Sequence, residues 1–207
     1  MALRDRIRQR LRWYRATRDF RATPEPDGVE EPSDLDHRFV VQHHRSLHPH
    51  YDLRLEHDGV LASWAVPKGP TLDPDARRLA VRTEDHPLDY VDFEGVIPEG
   101  EYGAGPVLVW DRGTFRLGGG HESLAEAIVE GAVRVNLRGE KLRGRFLLLR
   151  RDQPGPRERW LLLHADDDHA VRGWDPDDHP RSVKSGRTTD EVDDDPDDYW
   201  TRSDPVG

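Results

Sequence analysis

His48, His50, Asp52, Arg54 and Glu56 recur at every second position of the segment Leu47-His-Pro-His-Tyr-Asp-Leu-Arg-Leu-Glu56. In an extended strand alternate side chains share a face and stand about 6–7 Å apart. From His48 to Arg54 one face then carries two imidazoles, a carboxylate and a guanidinium in a row, and the other carries Leu47, Pro49, Tyr51, Leu53 and Leu55, which should pack on a core. The plain reading of such alternation is a strand with one side in water. Water-facing strands usually show Thr, Lys and Glu, however. Imidazole nitrogen with carboxylate oxygen suits Mn, Fe, Zn, Ni or Cu. Two His and one Asp leave coordination positions open, which a catalytic cation needs. Arg54 beside them offers a planar fork of donors to a phosphate oxygen. His44, just upstream, can fold over the same face.

Further along, Glu84-Asp-His-Pro-Leu-Asp-Tyr90 supplies His86 and Tyr90, either of which can donate to an anion or act as a general acid. Pro87 makes this segment a turn, and taken alone His86 reads as a surface histidine. Lys68 sits between Pro67 and Pro70, well placed for a phosphate, although loop lysines are ordinarily solvated. The glycine-rich stretch from Gly95 to Gly105 lacks the Gly-Lys-Ser/Thr ending of a Walker loop, so tight turns at a barrel rim are its expected role. Trp64, Trp110 and Trp160 read as core.

The elements that must position these groups are mostly short strands. The pattern predicts strands over Arg38–Gln42, His48–His57, Val60–Val66, Leu79–Arg82, Val107–Trp110, Thr114–Leu117, Ala132–Leu137, Arg145–Arg150 and Arg159–His164. Asp58-Gly59 reads as a hairpin turn, and Asp111-Arg112-Gly113 as the connection between two strands. Ser123 to Glu126 reads as a capping box opening a helix over Leu124–Glu130 that ends at Gly131. An antiparallel barrel or sandwich follows. The expected fold is mainly β, a closed antiparallel barrel with one or two short helices and flexible termini.

The chain has 207 residues, with 34% hydrophobic and 35% charged, so it can form one domain of ordinary size plus tails. It has no cysteine, which removes disulfides, thiolate zinc sites and thiol catalysis. No apolar run approaches the roughly 20 residues needed to cross a bilayer, and the arginine-rich start lacks a signal-peptide block. A soluble, cytoplasmic protein with no membrane contact is expected. The net charge of −10 argues against a simple electrostatic nucleic-acid binder, but it is uneven. Residues 1–22 hold eight Arg against two Asp, and residues 165–207 hold fourteen acids against five bases. Leu3, Ile7, Leu11 and Tyr14 fall at helical spacing, which predicts a frayed, solvated amphipathic helix. The expected division is a basic segment and linker over 1–36, a barrel domain over 37–170, and an acidic, largely disordered tail over 171–207, with Trp174, Tyr199 and Trp200 as possible anchors.

Together these strings resemble the 3′-phosphoesterase domain of bacterial DNA ligase D and its free-standing relatives. The matching strings are Arg18-Asp-Phe20 with Thr23-Pro-Glu-Pro26, Phe39-Val-Val-Gln42 with His44, His50-Tyr-Asp-Leu-Arg54, Ser63 through Pro70, Glu84 through Leu88 with Tyr90, Phe93 through Gly105, Glu140 through Gly144, and Trp160-Leu161. The resemblance covers roughly residues 14–170. It implies a β-barrel enzyme holding one divalent cation, preferably Mn2+. It further implies an activity on DNA primer–template 3′ ends in break repair. A terminal ribonucleoside is removed from a 3′ ribonucleotide end, then the remaining 3′-phosphate, leaving a 3′-hydroxyl. Carried over by position, His44, His50 and Asp52 hold the metal, and Arg54 and His86 hold the scissile phosphate with Tyr90 beside them. Arg18, Asp19, Glu25, Gln42, Lys68 and Arg78 fall on positions that support activity. The N-terminal group among them is expected to serve mainly the ribonucleoside-removing step. His43 stands where the family commonly has Lys, and His48 is expected to be a spectator. A monomer is expected, with a separate DNA ligase, polymerase or Ku-like protein as partner.

Two other readings stay open at this point. One is a non-catalytic DNA-end-binding module that recruits a ligase or Ku-like protein. The other is a cupin-like small-molecule metalloenzyme using His48 and His50 inside a narrow apolar cavity.

Overall fold

The hairpin expected at Asp58-Gly59 is present in the computed structural model, which describes residues 3–28, 37–155 and 157–195. Both turn residues have positive φ, 49° and 80°, the pair of left-handed conformations a two-residue turn between twisted strands requires. It joins β2 (His50–His57) to β3 (Val60–Val66). The other barrel strands are β1 (Arg38–His44), β4 (Arg78–Arg82), β7 (Gly105–Gly118), β8 (Ala132–Gly139), β9 (Arg143–Arg150) and β10 (Arg159–His164). Short strands β5 (His86–Pro87) and β6 (Gly95–Ile97) lie off the ring, paired with β3 and β7. Neighbours run β1-β2-β3-β4-β10-β9-β8-β7, all antiparallel, and β7 pairs back onto β1. Eight strands therefore close into a barrel, which removes exposed sheet edges.

Alternation along each strand sets what fills the barrel. Phe39 and Val41 of β1, Tyr51, Leu53 and Leu55 of β2, and Trp64 of β3 join one buried cluster with Trp110 and Trp160. Trp64 meets Trp160 edge-on at 5.8 Å. Each such fully buried aliphatic side chain contributes roughly 1.5–3 kcal/mol. Helix α3 (Leu124–Glu130) starts at Ser123, whose side chain accepts from the Glu126 amide, and ends at Gly131 with φ 84°. The Glu126 carboxylate reaches back to the amide of Glu122, one residue beyond the reciprocal partner of a capping box.

Three expectations are corrected. First, Asp111-Arg112-Gly113 does not separate two strands, because β7 runs unbroken through it. Val41 faces Asp111 and Gln42 faces Val109, so Trp110 is an extra residue that bends the strand without ending it. Gly113 serves close approach, since a Cβ there would lie 2.1 Å from the Arg138 carbonyl oxygen. The Asp111 carboxylate accepts the amides of Glu140, Lys141 and Leu142 and holds the turn between β8 and β9.

Second, the N-terminal segment is packed. It forms α1 (Leu3–Arg10) and α2 (Arg12–Ala16), with Ile7 and Leu11 buried against Val60 and Tyr14 buried against Val40 and Leu61. Third, residues 171–194 are not a loose tail. Trp174 lies 6.0 Å from Trp110, whose Nε1 donates to the His179 carbonyl. Val183 bonds to β7 through the Val109 carbonyl, and a capping box at Thr188 and Glu191 opens α4 (Thr189–Asp194), which buries Val192. Residues 29–36 of the expected linker, and Tyr199 and Trp200, lie outside the described residues.

Arg10 fixes α1 to the barrel, donating Nε to Asp85 at 2.7 Å and Nη1 to His57 Nε2 at 2.9 Å. A guanidinium only donates, so His57 must accept and stay neutral. Burial first, and the Arg10 charge second, push its pKa from 6.5 down to about 4. The unfolded chain thus binds a proton at this position where the folded one does not. The stabilising contribution is complete above about pH 6.5 and is lost as pH falls through about 4. Replacing His57→Gln should flatten this dependence. The urea midpoint of the variant should fall less between pH 7 and pH 4.5 than that of the unaltered chain. Equal falls would contradict the assignment.

Candidate metal centre and phosphate cleft

Because Tyr51, Leu53 and Leu55 fill the barrel, Asp52 and Arg54 must stand on its outer wall. Register brings Gln42 opposite Asp52, His44 opposite His50, and Ser63 opposite Arg54, so β1, β2 and β3 present one polar surface. That surface is buried. Asp52 and Arg54 are 4% and 3% exposed, beneath a roof made by the segments around Tyr14–Glu25 and Glu84–Gly103. The site is therefore a roofed cleft of about 530 Å³ on the barrel wall. Strand β2 begins only at His50, and Leu47 before it is 90% exposed. His48 is exposed too, so a His48–His50 pair inside an apolar barrel is not what the chain builds.

His44, His50 and Asp52 each offer one donor atom, all within 4.8 Å of one another. The His50 Nδ1 donates to the His48 carbonyl at 2.8 Å, which leaves Nε2 free, 3.4 Å from the Asp52 carboxylate. The His44 Nε2 donates to the Gly103 carbonyl at 2.7 Å, which leaves Nδ1 free. Carbonyls only accept, so these bonds fix both tautomers, as the outer partners of metal-binding imidazoles do. Burial holds the His44 pKa below its ordinary value. Burial opposes ionisation of Asp52 also, but the Arg54 guanidinium and His50 outweigh it and hold the carboxyl well below the usual range. For His50, burial is again outweighed, by the bond to Asp52, and the pKa rises. A site that attracts a proton to a carboxylate-bound imidazole attracts a divalent cation in its place. The residues present fit a cation with an N,N,O donor set.

Arg54 is the hub of the cleft. Its Nε donates to Gln42 at 2.7 Å, Nη1 to Ser63 at 3.0 Å and Nη2 to Asp52 at 3.1 Å, and the group lies 4.8 Å from the Tyr90 ring centre. Gln42 is held in turn by donating to the Tyr90 and Phe93 carbonyls. His86 donates Nδ1 to the Glu84 carbonyl at 3.0 Å, and its Nε2 lies 3.5 Å from Arg18 Nη2. Burial, then Arg54 and Arg18, keep the His86 pKa well below 6.5. The Tyr90 hydroxyl donates to Glu25 at 3.0 Å, and burial with the Glu25 charge pushes its pKa well above 10. Glu25 also accepts from Arg18 Nε at 2.8 Å.

The structure thus gathers Arg18, Glu25, Gln42, His44, His50, Asp52, Arg54, His86 and Tyr90 into one network. It does not bring Asp19, Lys68 or Arg78 there. Asp19 is exposed and caps the turn at Arg21, Lys68 is exposed beyond β3, and Arg78 opens β4 opposite Leu162. His43, on the barrel-facing side of β1, stacks on Tyr51 at 4.3 Å. Several partners lie in the matching strings without having been singled out as site residues. Ser63 and the Gly103 carbonyl act only through tertiary contact. Glu84 accepts from Arg18 at 3.3 Å, and Tyr102, 52% exposed, lines the opening. Gly103, in the stretch expected only to turn the chain, has φ 80°, and a Cβ there would lie 3.4 Å from His44 Cε1.

The family model described as the DNA Ligase D 3'-phosphoesterase domain matches residues 42–150. The multifunctional non-homologous end joining protein LigD of Pseudomonas aeruginosa is 49% identical over 181 residues, which cover 84% of this chain and 21% of the relative. The LigD proteins of Mycobacterium bovis and Mycolicibacterium smegmatis are 46% and 44% identical, covering 75% and 69% of this chain. Their covered shares are 20% and 19%, so the chain spans about a fifth of the length of these relatives. With a match across more than half its length and a wall of β1–β3 that assembles the expected polar groups, the chain belongs to the DNA ligase D 3'-phosphoesterase domain family.

Proposed function

We propose that the chain is a manganese-dependent hydrolase that heals DNA 3′ ends, removing a terminal ribonucleoside and then the 3′-phosphate to leave a 3′-hydroxyl. The observation that carries this reading is the convergence of His44, His50 and Asp52 beside the Arg54 guanidinium in one cleft. His44, His50 and Asp52 would hold the cation, which when bound supplies positive charge to a phosphate oxygen. Arg54 spends three of its five donors on Gln42, Ser63 and Asp52, which fixes its plane and leaves two for the phosphate. His86 is neutral with Nε2 free of a proton, and an arriving phosphate offsets the burial and arginine charges that keep it so, turning Nε2 into a donor. Tyr90, protonated at any physiological pH, is a donor and not a base. The substrates we propose are primer–template 3′ ends, including 3′ ribonucleotides. The setting we propose is non-homologous end joining in the cytoplasm, together with DNA ligase, polymerase and Ku-like activities.

Digestion of a labelled primer–template ending in one ribonucleotide, with and without Mn2+, tests this. Metal-dependent release of nucleoside and then phosphate is expected; DNA binding without any product would favour an end-binding module instead. Arg18 reaches the cleft from the N-terminal segment, so Arg18→Ala should separate the two steps. Ribonucleoside removal should slow about a hundredfold, as for the loss of one charged donor, and phosphate release much less. Equal losses would show that Arg18 does not discriminate between them.

A further inference from the structure

Six large apolar side chains are exposed among the described residues, and two of them, Leu47 and Tyr102, line the cleft. Exposed apolar surface rimmed by polar groups marks a place where a ligand lies. Packing does not account for Tyr102. It joins none of the buried clusters, and its hydroxyl has no hydrogen-bond partner among the described residues. Tyr90, the other tyrosine of the cleft, is 2% exposed and already faces Arg54.

The loop that carries Tyr102 is tied to the candidate metal centre. It connects β6 to β7, where Ile97 pairs with Gly105. Two turns shape it, the Glu101 amide donating to the Pro98 carbonyl and the Ala104 amide to the Glu101 carbonyl. Gly103, the next residue, accepts from His44 through its own carbonyl. Arg18 lies over the Tyr102 ring as well, its guanidinium 5.5 Å from that ring centre and 3.9 Å from the centre of Tyr14. Arg18 also donates to Glu84, whose charge, with burial second, raises the Tyr102 pKa above 10. The ring is therefore uncharged at neutral pH.

We propose that Tyr102 is the platform on which the base of the terminal ribonucleoside stacks, an inference that rests on the phosphoesterase reading. The phosphate of such an end is met by Arg54, His86 and the cation-holding residues, whereas the base beyond it needs an aromatic face. Tyr102 supplies that face at the opening, one residue from the carbonyl that orients His44 and beside Arg18, the side chain that reaches the cleft from the N-terminal segment. Every base has such a face, so all four ribonucleosides are accepted. Leu47 adds apolar surface to the same opening. An end that carries only a 3′-phosphate has no base beyond that phosphate and makes no use of the platform.

Tyr102→Ala and Tyr102→Phe test this, with an unchanged thermal melt confirming the fold of each. On a primer–template ending in one ribonucleotide, Tyr102→Ala should raise KM for nucleoside release about tenfold, as for the loss of one base–aromatic stack, with kcat little changed. Tyr102→Phe keeps the ring and should restore KM. On a 3′-phosphate end neither variant should shift KM by more than about twofold. Equal losses on the two ends overturn the proposal, since Tyr102 would then only support the loop that holds His44. So does a Phe variant as weak as the Ala variant, which would assign the role to the hydroxyl, and so does an unaltered KM. Fluorescence anisotropy in Mn2+ reads the same subsite without turnover, on primers whose terminal linkage carries a methylene in place of the leaving oxygen. The unaltered chain should prefer a terminal sugar with its base over a baseless one by about tenfold, and the preference should vanish in Tyr102→Ala. A preference that survives the substitution overturns the proposal. If the unaltered chain turned over neither end, the phosphoesterase reading would fail, and the anisotropy comparison would still decide the role of Tyr102.

Discussion

Replacing Asp52 by Asn should reduce release of 3′-phosphate by at least about a thousandfold, with the chain still folded. The carboxylate is the only anionic donor of the three, and it contacts both His50 and Arg54. Losing it removes charge from the cation and frees Arg54 from one of its anchors. Ala at this position would strand the buried Arg54 charge, which costs about 3–5 kcal/mol when one partner of a buried pair is removed. The isosteric amide limits that cost. His50→Ala gives an independent check at a less buried position and should lose activity to a similar extent. Initial rates with saturating Mn2+, alongside circular dichroism, read both effects. Wild-type rates in both variants would refute the site.

The second large effect falls on Arg54. Arg54→Lys should lose about 10²–10³ in kcat, little better than Arg54→Ala. A lysine keeps the charge but not the planar fork. One ammonium cannot meet Gln42, Ser63 and Asp52 from Nε, Nη1 and Nη2 positions and still present two donors to a phosphate. Gln42 Oε1 would also be left buried without its donor. The comparison of kcat for Ala and Lys variants at fixed Mn2+ decides this, and near-complete rescue by lysine would show that charge alone suffices.

The hairpin at Asp58-Gly59, helix α3 and most barrel strands were legible because local chemistry dictates them. Positive φ, capping and period-two alternation are short-range. The alternation of 48–56 also named His50, Asp52 and Arg54 as one face. It could not say where that face would point. A polar row next to an apolar one reads as water against core, whereas here Tyr14, Phe93 and the N-terminal helices roof the polar row and make it a second interior. The same long-range packing explains why Ile7 and Leu11 bury in a segment dominated by arginine, and why an acidic stretch such as 171–194 lies flat on the barrel through Trp174 and Val192. By alternation alone His48 was indistinguishable from His50; the family resemblance set it aside, and the start of β2 at His50 separates the exposed ring from the one that faces Asp52. The roles of the Gly103 carbonyl and the Ser63 hydroxyl were not legible, although both residues lie in the matching strings, since neither residue type announces its role.

Calorimetric titration of Mn2+ into the folded chain tests the central claim most directly. The account predicts one equivalent bound per chain at neutral pH, and none at the same concentrations in Asp52→Asn or in His44→Ala. Binding of undiminished stoichiometry and affinity in those two variants would place the cation elsewhere and contradict the account.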